Sequence, residues 1–280
     1  MLQIITDSAS DITAQQAKNL NIHIAPIGIQ FPDGPCPQES HEDFLLFYDR
    51  LEQAKELPMT SQPPLEYYIS RFEEAKKAGD PVLVITLSSG LSGTVNGVHI
   101  AKEMADYDQV YIVDSRQAIA SQRILTEHAV QLRDQGVSPE QIVAELEALR
   151  DRATVYGVID TLTYLRKGGR IPASLAILGN TLRIKPVIVL EDAHLKAMGK
   201  ALGTAAGKRM VHQRIQEHMP DPAFPIYFVY TSDREMGEQF MQETIEKFSL
   251  QEYNTQLVPI GGVIGTHVGT KGVGLAYIMK

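Results

Sequence analysis

Short apolar runs alternate with amphipathic segments through the first half of the chain, and that alternation leaves few folds open. Apolar stretches at Leu2–Thr6, Ile22–Gln30, Val82–Leu87 and Val110–Val113 read as strands. Residues with helical spacing fill Thr13–Leu20, His41–Gln53, Pro64–Ala78, Thr94–Met104 and Gln117–Gln135. The pattern predicts βα units around a parallel sheet. Ser138-Pro139-Glu140-Gln141 supplies an N-cap, a proline at the first helical position and an acidic first turn, so a further helix runs to about Arg150.

Beyond that helix the order of elements changes. Strands are expected at Thr154–Ile159, Val187–Glu191, Ile226–Thr231, Gln256–Ile260 and Val273–Met279, with helices near Thr204–His218 and Glu235–Phe248. The stretch Lys185–Lys196 folds back around Glu191-Asp192-Ala193-His194 as a hairpin, which implies a mixed sheet. The expected fold class is therefore α/β in two domains: a parallel-sheet α/β domain over 1–152 and a mixed-sheet α/β domain over 153–280. The Pro-rich stretch Phe31–Pro37 reads as a surface loop.

Composition removes several functions. The 280 residues carry 26 Lys+Arg against 34 Asp+Glu, a net charge of −8, which argues against a broad nucleic-acid surface because phosphate affinity comes from clustered cations. The lone cysteine, Cys36, excludes an internal disulfide framework and any multi-cysteine metal site, and fits a reducing compartment. No apolar stretch is long enough to span a bilayer and no signal-peptide core follows Met1–Thr6, so the expectation is a cytoplasmic protein with no integral membrane segment. The G-x-S-x-G, G-x-G-x-x-G and H-E-x-x-H signatures are absent. Gly203–Arg209 is one residue short of a phosphate loop and has Arg where the metal-binding Ser/Thr belongs. No catalytic residue, metal or cofactor is expected, and a binding protein is the simpler reading. An enzyme of the small-molecule kinase type, or a hydrolase using Ser92, is the competing class.

Ligands of open parallel sheets lie beyond the carboxyl ends of the strands, so the residues there matter most. They are small and hydroxylic: Thr6-Asp7-Ser8, the run Ser88–Thr94, and Asp114-Ser115. Ser92 and Gly93 bring a hydroxyl and backbone amides to a helix start, where partial positive charge suits a carboxylate or phosphate. Thr60 and Ser61, immediately before another helix, are placed to cap its first turn and leave amides pointing outward. Each cluster alone reads equally as ordinary capping; their convergence suggests a pocket. Asp7 and Asp114 read as structural turn residues. In the second half, Arg170 follows Gly168-Gly169 and suits either a ligand or a surface carboxylate. His267 sits in the glycine-rich run Gly261–Thr270, read as a loop with little packing to explain a histidine.

Five ordered motifs carry a resemblance: Ile4-Ile5-Thr6-Asp7-Ser8, TSQP at Thr60–Pro63, SSGLSGT at Ser88–Thr94, YLRKGGRI at Tyr164–Ile171, and GTHVG at Gly265–Gly269. Together they resemble the DegV family, whose members bind long-chain fatty acids and serve as the acyl-carrying subunit of bacterial fatty acid kinase. The resemblance implies a two-domain fold related to dihydroxyacetone kinase, with a long-chain fatty acid between the domains and a separate ATP-binding kinase subunit as partner. It places the carboxylate against Thr60 and Ser92, with His267 nearby and Arg170 as a further contact; Ser61 and Gly93 stand beside them. A carboxylate held there would favour protonated His267. One departure stands out. Kinase-serving members carry a basic stretch of the type K-V-R-x-x-K-K-A, whereas this chain reads Lys200-Ala201-Leu202-Gly203-Thr204-Ala205-Ala206, leaving Lys208 and Arg209 as the substitute cations.

Overall fold

The computed structural model describes residues 1–171 and 184–280. The chain opens with β1 (Gln3–Asp7), one turn of 3₁₀ helix (Ser8–Ser10), α1 (Ala14–Leu20), β2 (His23–Ala25), β3 (Gly28–Phe31), β4 (Gly34–Pro35), α2 (His41–Gln53) and β5 (Met59–Ser61). It continues through α3 (Leu65–Ala78), β6 (Val82–Thr86), α4 (Thr94–Ala105), β7 (Val110–Asp114), α5 (Ile119–Asp134) and α6 (Pro139–Arg150). The second half comprises β8 (Ala153–Val158), α7 (Thr163–Lys167), β9 (Ile184–Glu191), β10 (His194–Leu202), α8 (Thr204–Glu217), β11 (Ile226–Tyr230), α9 (Arg234–Phe248), β12 (Thr255–Pro259), α10 (Gly262–Val268) and β13 (Val273–Ile278).

The fold is α/β with a parallel and a mixed sheet. Strands in the order β2-β1-β6-β7 pair in parallel throughout. The six-stranded sheet, β10-β9-β8-β13-β11-β12, is antiparallel except where β11 meets β12. β1 and β6 are apolar on both faces because helices cover both sides of a parallel sheet. The chain leaves β1 toward β2 on one side and later returns as β6 on the other, which opens a crevice at their carboxyl ends.

Helix α5 joins the two sheets. Its residues Ile119–Thr126 are buried without a break, as in a helix enclosed all round. One apolar cluster runs through it, taking Ile4, Leu83 and Val113 from the parallel sheet and Tyr227, Val258 and Ala276 from the mixed sheet.

Four local expectations are corrected. Ile22–Gln30 is not one strand: Pro26 has no amide to donate, so β2 ends at Ala25 and β3 leaves for a small antiparallel sheet, β4-β3-β5. The Phe31–Pro37 loop contains β4. Thr60 and Ser61 do not cap a helix; they lie on β5, paired with Ile29 and Gly28, and Pro64 begins α3 without a side-chain cap. The glycine-rich run near His267 is helix α10. Its glycines permit close packing on α2, since a Cβ at Gly262 would lie 2.6 Å from Phe47 and one at Gly265 would lie 2.7 Å from the Tyr48 hydroxyl. Helix α7 and the 3₁₀ turn were not foreseen.

The β9–β10 hairpin rests on the loop before α4. Its tip residues Asp192 and Ala193 both have positive φ, 51° and 65°, as a tight hairpin turn requires. The buried Ser88 hydroxyl donates to the Ala193 carbonyl at 2.6 Å. Gly90 passes beneath, where a Cβ would lie 2.2 Å from that carbonyl oxygen. Gly90→Ala should therefore cost about 1–3 kcal/mol by overpacking against backbone, whereas Ser89→Ala, at an exposed neighbour, should stay within about 0.5 kcal/mol. Urea melts giving equal midpoints for the two variants would show that the hairpin tip does not bear on this loop.

Candidate functional site

A cavity of about 350 Å³ lies where the carboxyl ends of the parallel sheet face the mixed sheet. Its walls are mainly apolar: Leu87 follows β6, Ile119 begins α5, and Val155, Ile188 and Val229 project from the mixed sheet. Ile119 has φ of 48°, a conformation rare for a β-branched residue, and its strained backbone directs an apolar side chain into the wall.

The cavity's polar groups gather at one end. β5 contributes Thr60 and Ser61, and Gln62 follows it; the turn into α4 contributes Ser92 and Gly93; Arg170 follows α7, and His267 projects from α10. The structure thus brings all six residues singled out from the sequence to one cavity. Thr60, Ser92, Arg170 and His267 are half-buried while Ser61 and Gln62 are exposed, so this end opens to solvent. Gln62 was not singled out, although it belongs to the TSQP motif. A Cβ at Gly93 would lie 2.7 Å from its amide nitrogen, so the glycine lets β5's exit meet the start of α4. An apolar interior in the second half is expected from the resemblance, but its individual wall residues are not marked by any motif, because they come from strands distant in sequence.

The hydrogen bonds assign distinct states to the groups. Ser92 Oγ lies 2.9 Å from Thr94 Oγ1 and accepts from the Thr94 amide at 3.3 Å, so it helps to cap α4. His267 Nε2 lies 3.3 Å from Thr60 Oγ1. His267 Nδ1 is enclosed against Gly168, whose Cβ would fall 2.3 Å away, and has no partner among the described residues. In the tautomer protonated at Nε2, the ring donates to Thr60 and leaves the Thr60 hydroxyl proton free for a ligand. Burial, and secondarily the Arg170 charge, pushes the His267 pKa from 6.5 to about 4, so the ring is neutral at pH 7. The packing explanation denied to this histidine from sequence is therefore present. Arg170 donates to the Leu91 carbonyl at 3.2 Å and to the Gly168 carbonyl, so carbonyls rather than carboxylates hold its guanidinium at the mouth.

The neighbouring carboxylates are structural. Buried Asp7 accepts from the amides of Leu87 (2.7 Å) and Ala9 (3.1 Å) and from Gln122 (3.3 Å), closing β1 onto β6; burial raises its pKa to about 6. Asp114 accepts from the amides of Ser89 and Arg116. Among the described residues no cluster of His, Cys, Asp or Glu could hold a metal ion, and no helix is long and apolar enough to cross a membrane. Lys208, one of the substitute cations, is not available for docking. It is 8% exposed and pairs with Glu243 at 3.2 Å.

Fold and site together define an α/β protein with an apolar chamber between its two larger sheets and a small polar mouth. The chain belongs to the DegV family, described as uncharacterised proteins, whose family model matches residues 1–280. Protein DegV of Bacillus subtilis is 29% identical over 283 residues, covering 100% of this chain and 99% of the relative. A stearic-acid-binding protein of Eubacterium ventriosum is similar in structure, with a TM-score of 0.87, 26% identity and coverage of 100% and 99% of the two chains. A Streptococcus pneumoniae fatty acid kinase (Fak) B3 protein loaded with linoleic acid shares the fold at a TM-score of 0.84, with 20% identity and coverage of 100% of each chain.

The His267 environment has a measurable consequence for stability. As pH falls from 6.5 toward about 4, the unfolded histidine takes up a proton that the folded one refuses, so the folded state loses stability. Asp7 has the opposite slope: between 3.8 and about 6 its folded form holds the extra proton, so stability falls as pH rises. Comparing wild type with His267→Asn cancels the Asp7 contribution. The difference in unfolding free energy should be constant above about pH 7 and should shift against the wild type by at most about 3 kcal/mol toward pH 4. A difference independent of pH would mean that the ring titrates normally in the folded protein.

Proposed function

We propose that this protein binds a long-chain fatty acid, with the carboxylate at the mouth among Thr60, Ser61, Ser92, Gly93, Arg170 and His267, and the acyl chain in the apolar chamber. The observation that carries this reading is the chamber itself: one polar end, and walls that are otherwise apolar. Such a division matches an amphipathic ligand. Each methylene buried contributes about 0.8 kcal/mol, less the cost of ordering the chain, so the tail supplies most of the affinity and the head fixes the orientation. Hydroxyl and guanidinium donors offset the cost of partly burying a carboxylate. Arg170 supplies the permanent charge, and His267 enters as a neutral partner whose pKa the bound carboxylate raises from about 4. Fatty acids are what the similar proteins of known structure are described as binding, stearic acid among them.

The protein acts as a carrier rather than an enzyme, presenting the carboxylate through the open mouth to a separate ATP-dependent fatty acid kinase subunit. The exposure of Ser61 and Gln62 beside the proposed carboxylate position supports presentation to a partner. The competing hydrolase reading finds little support, since Ser92 pairs with Thr94 and His267 Nε2 pairs with Thr60.

Native mass spectrometry of the purified protein, followed by lipid extraction, should find one bound fatty acid or show its uptake from solution; a chamber that stays empty and refuses added palmitate contradicts the reading. Thr60→Ala and Ser92→Ala should each weaken palmitate binding about tenfold, the loss of a hydrogen bond to a charged group. For Ser92→Ala, unchanged affinity with a lowered melting temperature would reduce that hydroxyl to a helix cap. ATP turnover by the isolated chain would favour a kinase in its own right.

A further inference from the structure

Gly157 lies in the middle of β8, where a glycine weakens a strand by its backbone freedom and contributes no side chain to pack. The fold does not require it. A Cβ built there meets nothing nearer than Ile188 Cγ1 at 3.4 Å, followed by Ile188 Cδ1 at 3.7 Å and the Val273 carbonyl oxygen at 3.8 Å, all ordinary contacts. Its cross-strand partner differs. A Cβ at Gly274 would lie 2.2 Å from the Tyr156 carbonyl oxygen, a backbone clash, so glycine is obligatory at Gly274 and optional at Gly157.

Register places the two glycines in one rung of the mixed sheet. Ile188 pairs with Gly157, Gly157 with Gly274, and Gly274 with Val229, so the rung reads Ile-Gly-Gly-Val across four neighbouring strands. Directly opposed residues share a face, and all four line the chamber. The outer pair stands about 14 Å apart at the backbone, three strand spacings, and the two central positions contribute no side chain, only Ile188 reaching over Gly157 from one side. Just past the end of β8, Ile159 packs with Leu165 and Val268 close to the polar mouth, whereas Val155 near the start of β8 packs against the central core. Gly157 is therefore one inward-facing position deeper than the mouth.

We propose that Gly157 is the residue that sets acyl-chain selectivity: its missing side chain completes a trough between Ile188 and Val229 through which the inner part of a long chain passes. The proposal rests on the fatty-acid reading above and deepens it. A chain short enough to end beside Ile159 does not reach the trough, whereas stearate must cross it. A methyl group at this position narrows the trough without disturbing the backbone, so chain length and fold stability separate.

Gly157→Ala and Gly157→Val test this directly. Displacement of a fluorescent fatty acid by decanoate, myristate, palmitate and stearate gives relative affinities, and thermal melts report the fold. In Gly157→Val the preference for stearate over decanoate should fall by about tenfold or more, with Gly157→Ala intermediate. The melting temperature of Gly157→Ala should equal or exceed that of the wild type. A folded Gly157→Ala and Gly157→Val pair with the wild-type order and spacing of affinities overturns the proposal, as does an equal loss for every chain length. Should the Val variant fail to fold, the Ala variant decides by the same ratio. Failure of the wild type to bind any member of the series would instead remove the fatty-acid reading.

Discussion

The burial of α5 between the two sheets is the contact on which the remaining structure depends. The helix is enclosed through Ile119–Thr126, so it holds the parallel sheet and the mixed sheet at a helix-width separation and makes their apolar faces one core. At the helix start that filling stops. Ala118 and Ile119 face open space, and the gap left between the sheets beyond them becomes the chamber. The cavity thus follows from where one helix begins. Its position at the carboxyl ends of the strands then surrounds it with loops that carry hydroxyl groups.

The mouth is governed by desolvation. A histidine in open solvent near a carboxylate would carry charge readily, but enclosure of the His267 ring against Gly168 and proximity to Arg170 leave it neutral. Positive charge at the site therefore belongs to Arg170, whose guanidinium carbonyls of the Leu91 and Gly168 backbone hold in place. Thr60 connects the neutral ring to the chamber. In the same geometry Ser92 Oγ pairs with Thr94 and His267 Nε2 pairs with Thr60, so these two side chains are engaged with neighbours rather than with each other.

Much of this architecture was legible in the sequence because burial on both faces writes itself as uninterrupted apolar runs, as in Val82–Thr86, and because capping residues mark helix starts, as at Ser138. The site residues were legible as convergent motifs. What the sequence concealed depends on contacts made only in three dimensions. Thr60 and Ser61 stand before a helix but pair as strand β5 with residues some thirty positions earlier, and local pattern carries no register information. The run Gly261–Thr270 has a composition typical of loops. It is helical because its glycines admit Phe47 and Tyr48 of α2 at distances a side chain would forbid. The chamber's apolar walls lie on strands far apart in the chain, so no motif marks them.

The central claim is that the polar mouth holds a carboxylate and the chamber holds its tail. NMR of palmitate isotopically labelled at the carboxyl carbon reads the head group itself. The account predicts a single bound resonance in slow exchange, kept in the ionised position to lower pH than free palmitate by Arg170, and moved by His267→Asn. A bound resonance that titrates like the free acid, or that His267→Asn leaves unchanged, would place the carboxylate elsewhere and contradict the account.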